Sequence, residues 1–192
     1  SWGGGGYSQT LKDAIDAAGT AGLLFVAAAG NNSTNTDLSP SYPASYDSPN
    51  IISVAASDHR DALASFTNYG ATTVDLAAPG VSIYSTSPGN GYRSLSGTSM
   101  ACPHVAGACA LIKSARPAMN WAEIKDSILN NVNGVAGMNG KVLKNGRLNV
   151  ARSLIIATEP YVTLNAISPS DGGKPGSSGN GDGILNPGED IA

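Results

Sequence analysis

Three short, almost wholly apolar runs, at 23–28, 51–55 and 74–77, constrain this chain more than any other feature. A strand with one face in water alternates apolar and polar residues. An unbroken run is buried on both faces, as in a parallel sheet covered by helices. A further run at 81–85 reads as another strand, with Gly, Pro and Asn turn signals between the runs. The covering helices are also legible. Residues 8–19 place Leu11, Ala14, Ile15 and Ala18 on one face at i, i+3, i+4 and i+7. Residues 99–114 form a helix so rich in Ala and Gly that burial is expected. Residues 121–131 turn Trp121, Ile124, Ile128 and Leu129 inward, and 146–157 reads as one more helix. This alternation predicts an α/β layered domain.

Composition closes off other classes. Of 192 residues 41% are apolar, which argues against disorder for most of the chain. Eleven Lys+Arg against 14 Asp+Glu give a net charge of −3 without a basic cluster, which argues against a nucleic-acid partner. The longest apolar stretch, 17–30, is too short and interrupted for a membrane span, which takes ~20 residues. Cys102 and Cys109 lie on one predicted helix, ~10 Å apart along its axis. That exceeds the ~7 Å Cα limit of a disulfide, so both read as buried free thiols.

Composition shifts after about Thr158. Residues 159–167 still alternate like a strand, whereas 168–188 are dominated by Gly, Ser, Pro, Asn and Asp. The expected organisation is a domain over 1–157, then a linker and the start of a downstream domain over 158–192. Both ends read as cuts through a longer protein: Ser1-Trp2-Gly3-Gly4 follows no Met or signal-like segment, and Glu189-Asp190-Ile191-Ala192 carries no cap.

The chemistry concentrates in three segments: Ala28-Ala29-Gly30-Asn31, Ala78-Pro79-Gly80, and the run from Ser96 to Gly107. Ser99 opens an apolar helix amid small residues that let other backbone approach closely. A nucleophile there gains from the helix dipole and from N–H groups able to hold an oxyanion. Asn31 falls just past the carboxyl end of a buried strand, where ligands gather in open α/β sheets. Its amide is a neutral donor suited to developing negative charge. His104, five residues beyond Ser99, is turned ~140° around the helix, so its ring points away from the hydroxyl.

Gly97-Thr98-Ser99-Met100-Ala101 followed by Pro103-His104-Val105-Ala106-Gly107 closely resembles the nucleophile block of subtilisin-like serine proteases. Ser1-Trp2-Gly3-Gly4, Tyr42-Pro43-Ala44, Ala64-Ser65-Phe66 and Ala78-Pro79-Gly80-Val81 fall in that family's order and rough spacing, so the resemblance covers about 1–157. It implies a three-layer parallel-sheet fold, present in part, and proteolysis through an acyl-enzyme on Ser99 with Asn31 in the oxyanion hole. It further implies that Ser1, Trp2 and Gly3 pair with the substrate backbone. Ala28, Ala29, Gly30 and Ser41 would line the pocket for the residue before the scissile bond, and Tyr42-Pro43 would be cis. Trp2 reads equally as core packing.

The family's triad runs Asp, His, Ser along the chain. Neither an Asp-Thr/Ser-Gly block nor a His-Gly-Thr-His block occurs here; His59, Asp13, Asp16 and Asp75 stand in other contexts. Both blocks are expected upstream of Ser1, in the part of the domain that would be this chain's partner, and residues 1–192 alone are expected to hydrolyse no peptide. The expected substrate is a polypeptide, the expected location outside the cell, and no organic cofactor is implied. The alternatives are a pseudoprotease or peptide-binding module, and a cell-surface protein whose tail carries the main function. Residues 178–189 fit part of a twelve-residue calcium loop, with Asn180, Asp182 and Glu189 at positions 3, 5 and 12 and Gly183 at 6. Ser178 departs from the Asp at position 1, and Pro187 would strain the exiting helix. The same segment resembles the opening of the β-sandwich modules that follow the catalytic domain in large secreted bacterial proteases.

Overall fold

The computed structural model describes residues 1–156. Helix α1, Gln9–Thr20, starts where the Ser8 side chain accepts the Leu11 N–H, satisfying one orphan donor of the first turn. Its inward face is narrower than the periodicity suggests. Ile15 is buried and Leu11 and Ala18 half-buried, but Ala14 is exposed. Strands β1 (Phe25–Ala28), β2 (Ile51–Ser57) and β3 (Leu76–Pro79) follow, then β4 (Ile83–Ser87) and β5 (Gly91–Leu95). The remaining elements are α2 (Thr98–Ala115), α3 (Trp121–Leu129), β6 (Asn133–Gly134), a 3-10 turn at Ala136–Met138, β7 (Gly146–Arg147) and α4 (Val150–Ile156).

The main sheet has the order β1-β2-β3-β7-β6. Strands β1, β2 and β3 are parallel, with Phe25 opposite Ile51 and Val54 opposite Leu76. All seven residues of β2 are buried, as its apolar run requires. Because successive side chains point to opposite faces, β2 serves two cores at once. Ile52, Val54 and Ala56 pack against Ala101, Val105, Ala108 and Ile112 of α2 and Ile124 and Ile128 of α3. On the other face Ile51 meets Ile15 of α1 with Ala27 and Tyr46, while Ala55 joins Ala77, Met138 and Val142. The result is a layered α/β fold built on a mostly parallel sheet.

The structure departs from the sequence reading in further places. Residues 146–157 are not one helix: Gly146 and Arg147 pair with β6, Arg147 also with β3, and helix begins only at Val150. A Cβ on Gly146 would run into the Asn133 carbonyl, so this strand pair forms only around glycine. The 81–85 run does not join the parallel sheet. Strand β4 instead pairs antiparallel with β5 across a turn at Pro88-Gly89-Asn90, and the exposed rings of Tyr84 and Tyr92 stack with centroids 5.6 Å apart. Helix α2 is buried on one face only; Ala106, Gly107, Ala110 and Leu111 are exposed. Cys102 is buried and Cys109 half-buried, and desolvation pushes the Cys109 thiol up to about 12, so it stays neutral. The β-sandwich start and its calcium residues Asn180, Asp182 and Glu189 lie outside the described residues.

Loops are tied together by single polar side chains. Lys125 of α3 donates to the carbonyls of Pro49 (2.9 Å) and Ile51 (2.6 Å), fixing the entry to β2. Asp37 accepts from the N–H and hydroxyl of both Thr72 (Oγ1 at 2.8 Å) and Thr73 (Oγ1 at 2.7 Å), joining the loop after β1 to the loop before β3. Partial burial would raise the Asp37 pKa, but those hydroxyl and amide donors outweigh it and hold the carboxyl below its ordinary value. Hydrogen bonds of this kind contribute most while the carboxyl is ionised. We therefore expect Asp37→Ala to cost about 1–3 kcal/mol at neutral pH. A depressed pKa gives stability that is present above the unfolded carboxylate value, ~3.9, and lost as pH falls through the folded value. Urea unfolding of both proteins across pH checks this, since the gap between them closes only on the acid side.

Candidate active site

The N-terminus of α2 reaches the carboxyl ends of β1, β2 and β3 because nothing larger than hydrogen stands in its way. A Cβ on Gly80 would lie 2.6 Å from Ala56 Cβ and 2.8 Å from the Gly97 carbonyl oxygen. With glycine there, Gly97 N–H donates to the Gly80 carbonyl at 2.8 Å and the helix starts one residue later. The positive end of the helix dipole is thereby set beside Ser99.

Thr98 then organises its surroundings. Its N–H (2.9 Å) and its hydroxyl (3.0 Å) both reach Asn31 Oδ1, while the same hydroxyl accepts the Gly30 N–H at 3.1 Å. An N–H can only donate, so the carboxamide oxygen of Asn31 is the atom turned to Thr98 and the NH2 is the end left for the cleft. That nitrogen lies 3.5 Å from where a Cβ on Gly97 would be. Behind it, buried Asn68 donates to the Ala29 carbonyl (2.9 Å) and accepts from Asn32 N–H (2.9 Å) and Thr34 N–H (3.1 Å). Gly30 has φ +107°, and a Cβ there would overlap the Asn68 carboxamide.

Ser99, Asn31, Ser1, Trp2, Gly3, Ala28, Gly30 and Ser41 line one cleft of about 280 Å³, together with Thr98. The edge segment is held at both ends. Ser1 Oγ donates to the Ser99 carbonyl at 2.6 Å, and the N–H groups of Gly4 (3.1 Å) and Gly5 (3.2 Å) share the Tyr42 carbonyl. A Cβ on Gly3 would come within 3.2 Å of the Ala28 carbonyl, so the segment lies against the end of β1. Trp2 is 59% exposed, which places it in the cleft and not in a core. Tyr42-Pro43 is cis. Ala29 is the exception among the sequence-derived residues: it is fully buried beneath the cleft and does not line it.

Ser99 also borders a second groove, about 350 Å³, with Ile83, Tyr84, Met100, Pro103 and His104. His104 Nδ1 lies 2.8 Å from the Met100 carbonyl, and His59 is exposed in the turn beside Asp58. Among the described residues no hydrogen bond engages Ser99 Oγ, and no group of three or more His, Cys, Asp or Glu converges as a metal site. Sequence reasoning missed Thr98 and Asn68. Thr98 stands inside the nucleophile block, whereas Asn68 has no local signal because its partners lie more than 30 residues away.

The model of the subtilase family matches residues 1–153. The chain is 47% identical over 143 residues to the thermophilic serine proteinase of Bacillus sp. (strain AK1), covering 74% of this chain and 33% of that protein. It is 47% identical over 129 residues to subtilisin DY of Bacillus licheniformis, covering 67% and 46%. To the M-protease of Shouchella clausii (strain KSM-K16) it is 44% identical over 132 residues, covering 69% and 33%. The chain thus spans between a third and about half the length of these relatives.

The glycine requirement at position 30 is directly measurable. Gly30→Ala combines a left-handed φ with a clash against a fully hydrogen-bonded side chain, and is expected to cost more than ~2 kcal/mol in urea unfolding. Gly137→Ala, where a Cβ meets open space, is expected to change stability by less than ~1 kcal/mol.

Proposed function

The chain belongs to the subtilase family, and from that membership we propose that the whole protein is a serine-type endopeptidase in which Ser99 is the acylating nucleophile. The observation that carries this reading is the orientation of Asn31. Its oxygen is engaged by both Thr98 donors, so its NH2 faces the cleft that Ser99 lines.

A polypeptide would lie along Ser1–Gly3, adding its backbone to that edge as a strand does. The side chain before the scissile bond would enter the pocket of Ala28, Gly30 and Ser41. Ser99 Oγ attacks the carbonyl carbon while its proton leaves to a base. The carbonyl oxygen becomes an oxyanion held by the Ser99 N–H and Asn31 Nδ2, dipoles already in place before charge develops. Collapse expels the amine and leaves an acyl-enzyme, which water then hydrolyses. Residues 1–192 contain neither an Asp-Thr/Ser-Gly nor a His-Gly-Thr-His block, so the base would come from an upstream part of the same domain. Two surfaces support such a partner: the outer edge of β1, which among the described residues pairs only with β2 in the main sheet, and the exposed small-residue face of α2.

The reaction requires no organic cofactor. We place the protein outside the cell; among the described residues no helix is long and apolar enough to cross a membrane. Calcium on Asn180, Asp182 and Glu189 is a further proposal resting on the loop pattern alone, checked by calorimetry on a protein extending beyond Ala192.

A serine-directed fluorophosphonate applied to the whole protein is expected to form an adduct on Ser99, whereas residues 1–192 alone are expected to hydrolyse no peptide. Lack of labelling in the whole protein would instead favour a peptide-binding module without a base. Asn31→Leu is expected to lower kcat by ~10²–10³, the range already known for an oxyanion-hole asparagine of a subtilisin, with KM little changed. Thr98→Val, which removes one of two bonds orienting Asn31, should cost about tenfold in kcat.

A further inference from the structure

Helix α2 contains Pro103, four residues after Ser99. In an α-helix the carbonyl of residue i accepts the N–H of residue i+4. Proline has no N–H, so the Ser99 carbonyl cannot receive its regular helical donor. This is the carbonyl of the residue that carries the hydroxyl of interest, and it lies in the first turn of the helix. Its neighbour behaves differently: the Met100 carbonyl has His104 four residues on and draws in the His104 ring nitrogen at 2.8 Å as well.

The missing donor is replaced from 98 residues away. Ser1 Oγ donates to the Ser99 carbonyl at 2.6 Å, the short end of the range for a hydroxyl donor. Ser1 belongs to the edge segment whose next residues, Trp2 and Gly3, line the cleft, and which the Tyr42 carbonyl holds through Gly4 and Gly5. We infer that Ser1 is a positioning residue: its hydroxyl stands in for the helical hydrogen bond that Pro103 deletes, and so locks the peptide unit of Ser99 to the edge along which substrate backbone would lie.

Deleting the internal bond frees the carbonyl for an external donor, and supplying that donor from the edge segment makes nucleophile and edge move as one unit. An ordinary helix residue at position 103 would supply the carbonyl with a donor from within the helix, so that the Ser1 hydroxyl would no longer be the one bond holding it. The two positions are therefore predicted to be coupled although they do not touch the same substrate atom.

The catalytic arm of this inference rests on Ser99 being the nucleophile; the hydrogen-bond substitution does not. The test is a double-mutant cycle in the whole protein with Ser1→Ala, Pro103→Ala and the pair, read in two ways. In kcat, Ser1→Ala is expected to cost about tenfold with KM within twofold, one hydrogen bond's worth of positioning. In the Pro103→Ala background the same change is expected to cost less than twofold, because the backbone N–H restored at position 103 then serves the carbonyl. Ser1→Thr, which keeps the hydroxyl, should retain activity within about threefold. In thermal unfolding the same non-additivity is expected, with Ser1→Ala lowering the midpoint only when residue 103 is proline. An equal Ser1→Ala effect in both backgrounds, in rate and in unfolding, would overturn the inference. Absence of fluorophosphonate labelling on Ser99 would sink the nucleophile reading alone, and the unfolding cycle would still decide the hydrogen-bond substitution.

Discussion

The candidate site depends on how closely the first turn of α2 approaches the carboxyl ends of the parallel strands. That distance is set by side-chain size at a few positions: Ala56 at the end of β2, Gly80 after β3, and Ala101 in the helix. A methyl on Gly80 would press on both alanines and on the Gly97 carbonyl together. Packing at this density leaves no slack to absorb a displaced turn. If α2 moved outward by the width of a methyl group, Thr98 would lose both contacts to Asn31 and the hydroxyl contact to Gly30. The small residues here set a distance on which directional polar bonds then act.

Those polar bonds divide the loop after β1 into segments, each held by one side chain. Asn68 takes the backbone of Ala29, Asn32 and Thr34, Thr98 takes Gly30 and Asn31, and Asp37 ties its own turn to Thr72 and Thr73. A loop that must expose one amide to a cleft cannot satisfy its backbone through sheet or helix ladders. Buried or half-buried polar side chains do so instead, which is why Asn68 and Thr36 are almost wholly inaccessible despite being polar. Rigidity of this kind suits a donor that must not reorganise as charge appears.

How much of this could be read beforehand follows from the range of the interactions involved. The core strands were legible because burial on both faces leaves a local trace, and β2 carried it in all seven residues. The family was legible because Ser99 and Asn31 each stand in a whole block of residues that resembles it. The misreadings share one cause. At 81–85 an apolar run of strand length could not reveal whether its partner was β3 or the next segment; the answer lay in the Pro88-Gly89-Asn90 turn. At 146–157 one helix was read across Gly146 and Arg147, whose strand partners Gly134, Asn133 and Ala77 lie outside the segment. Ala29 lies next to residues lining the cleft, but period-two alternation sends its methyl the other way. Thr98 and Asn68 act through partners more than 30 residues distant, and no window around either residue contains that information.

The proposed reaction sets two chemical problems, and they make different physical demands. Holding negative charge on an oxygen takes fixed dipoles, in the proposed reading the helix N-terminus, the Ser99 N–H and the Asn31 amide, and fixed dipoles need dense packing more than any titratable group. Taking a proton from a serine hydroxyl takes a base that changes charge near neutral pH and sits within hydrogen-bond reach. Neither histidine present meets that demand: His59 is out on an exposed turn, and His104 directs Nδ1 at the Met100 carbonyl. Three of the carboxylates are committed as well, Asp16 to Lys12, Asp37 to the two threonines and Asp75 to the Ser53 N–H. The proposed nucleophile, whose hydroxyl has no partner among the described residues, beside an amide held in one orientation by Thr98, is the arrangement expected if the dipolar half of the site is built on this stretch of chain and the proton-carrying half on another.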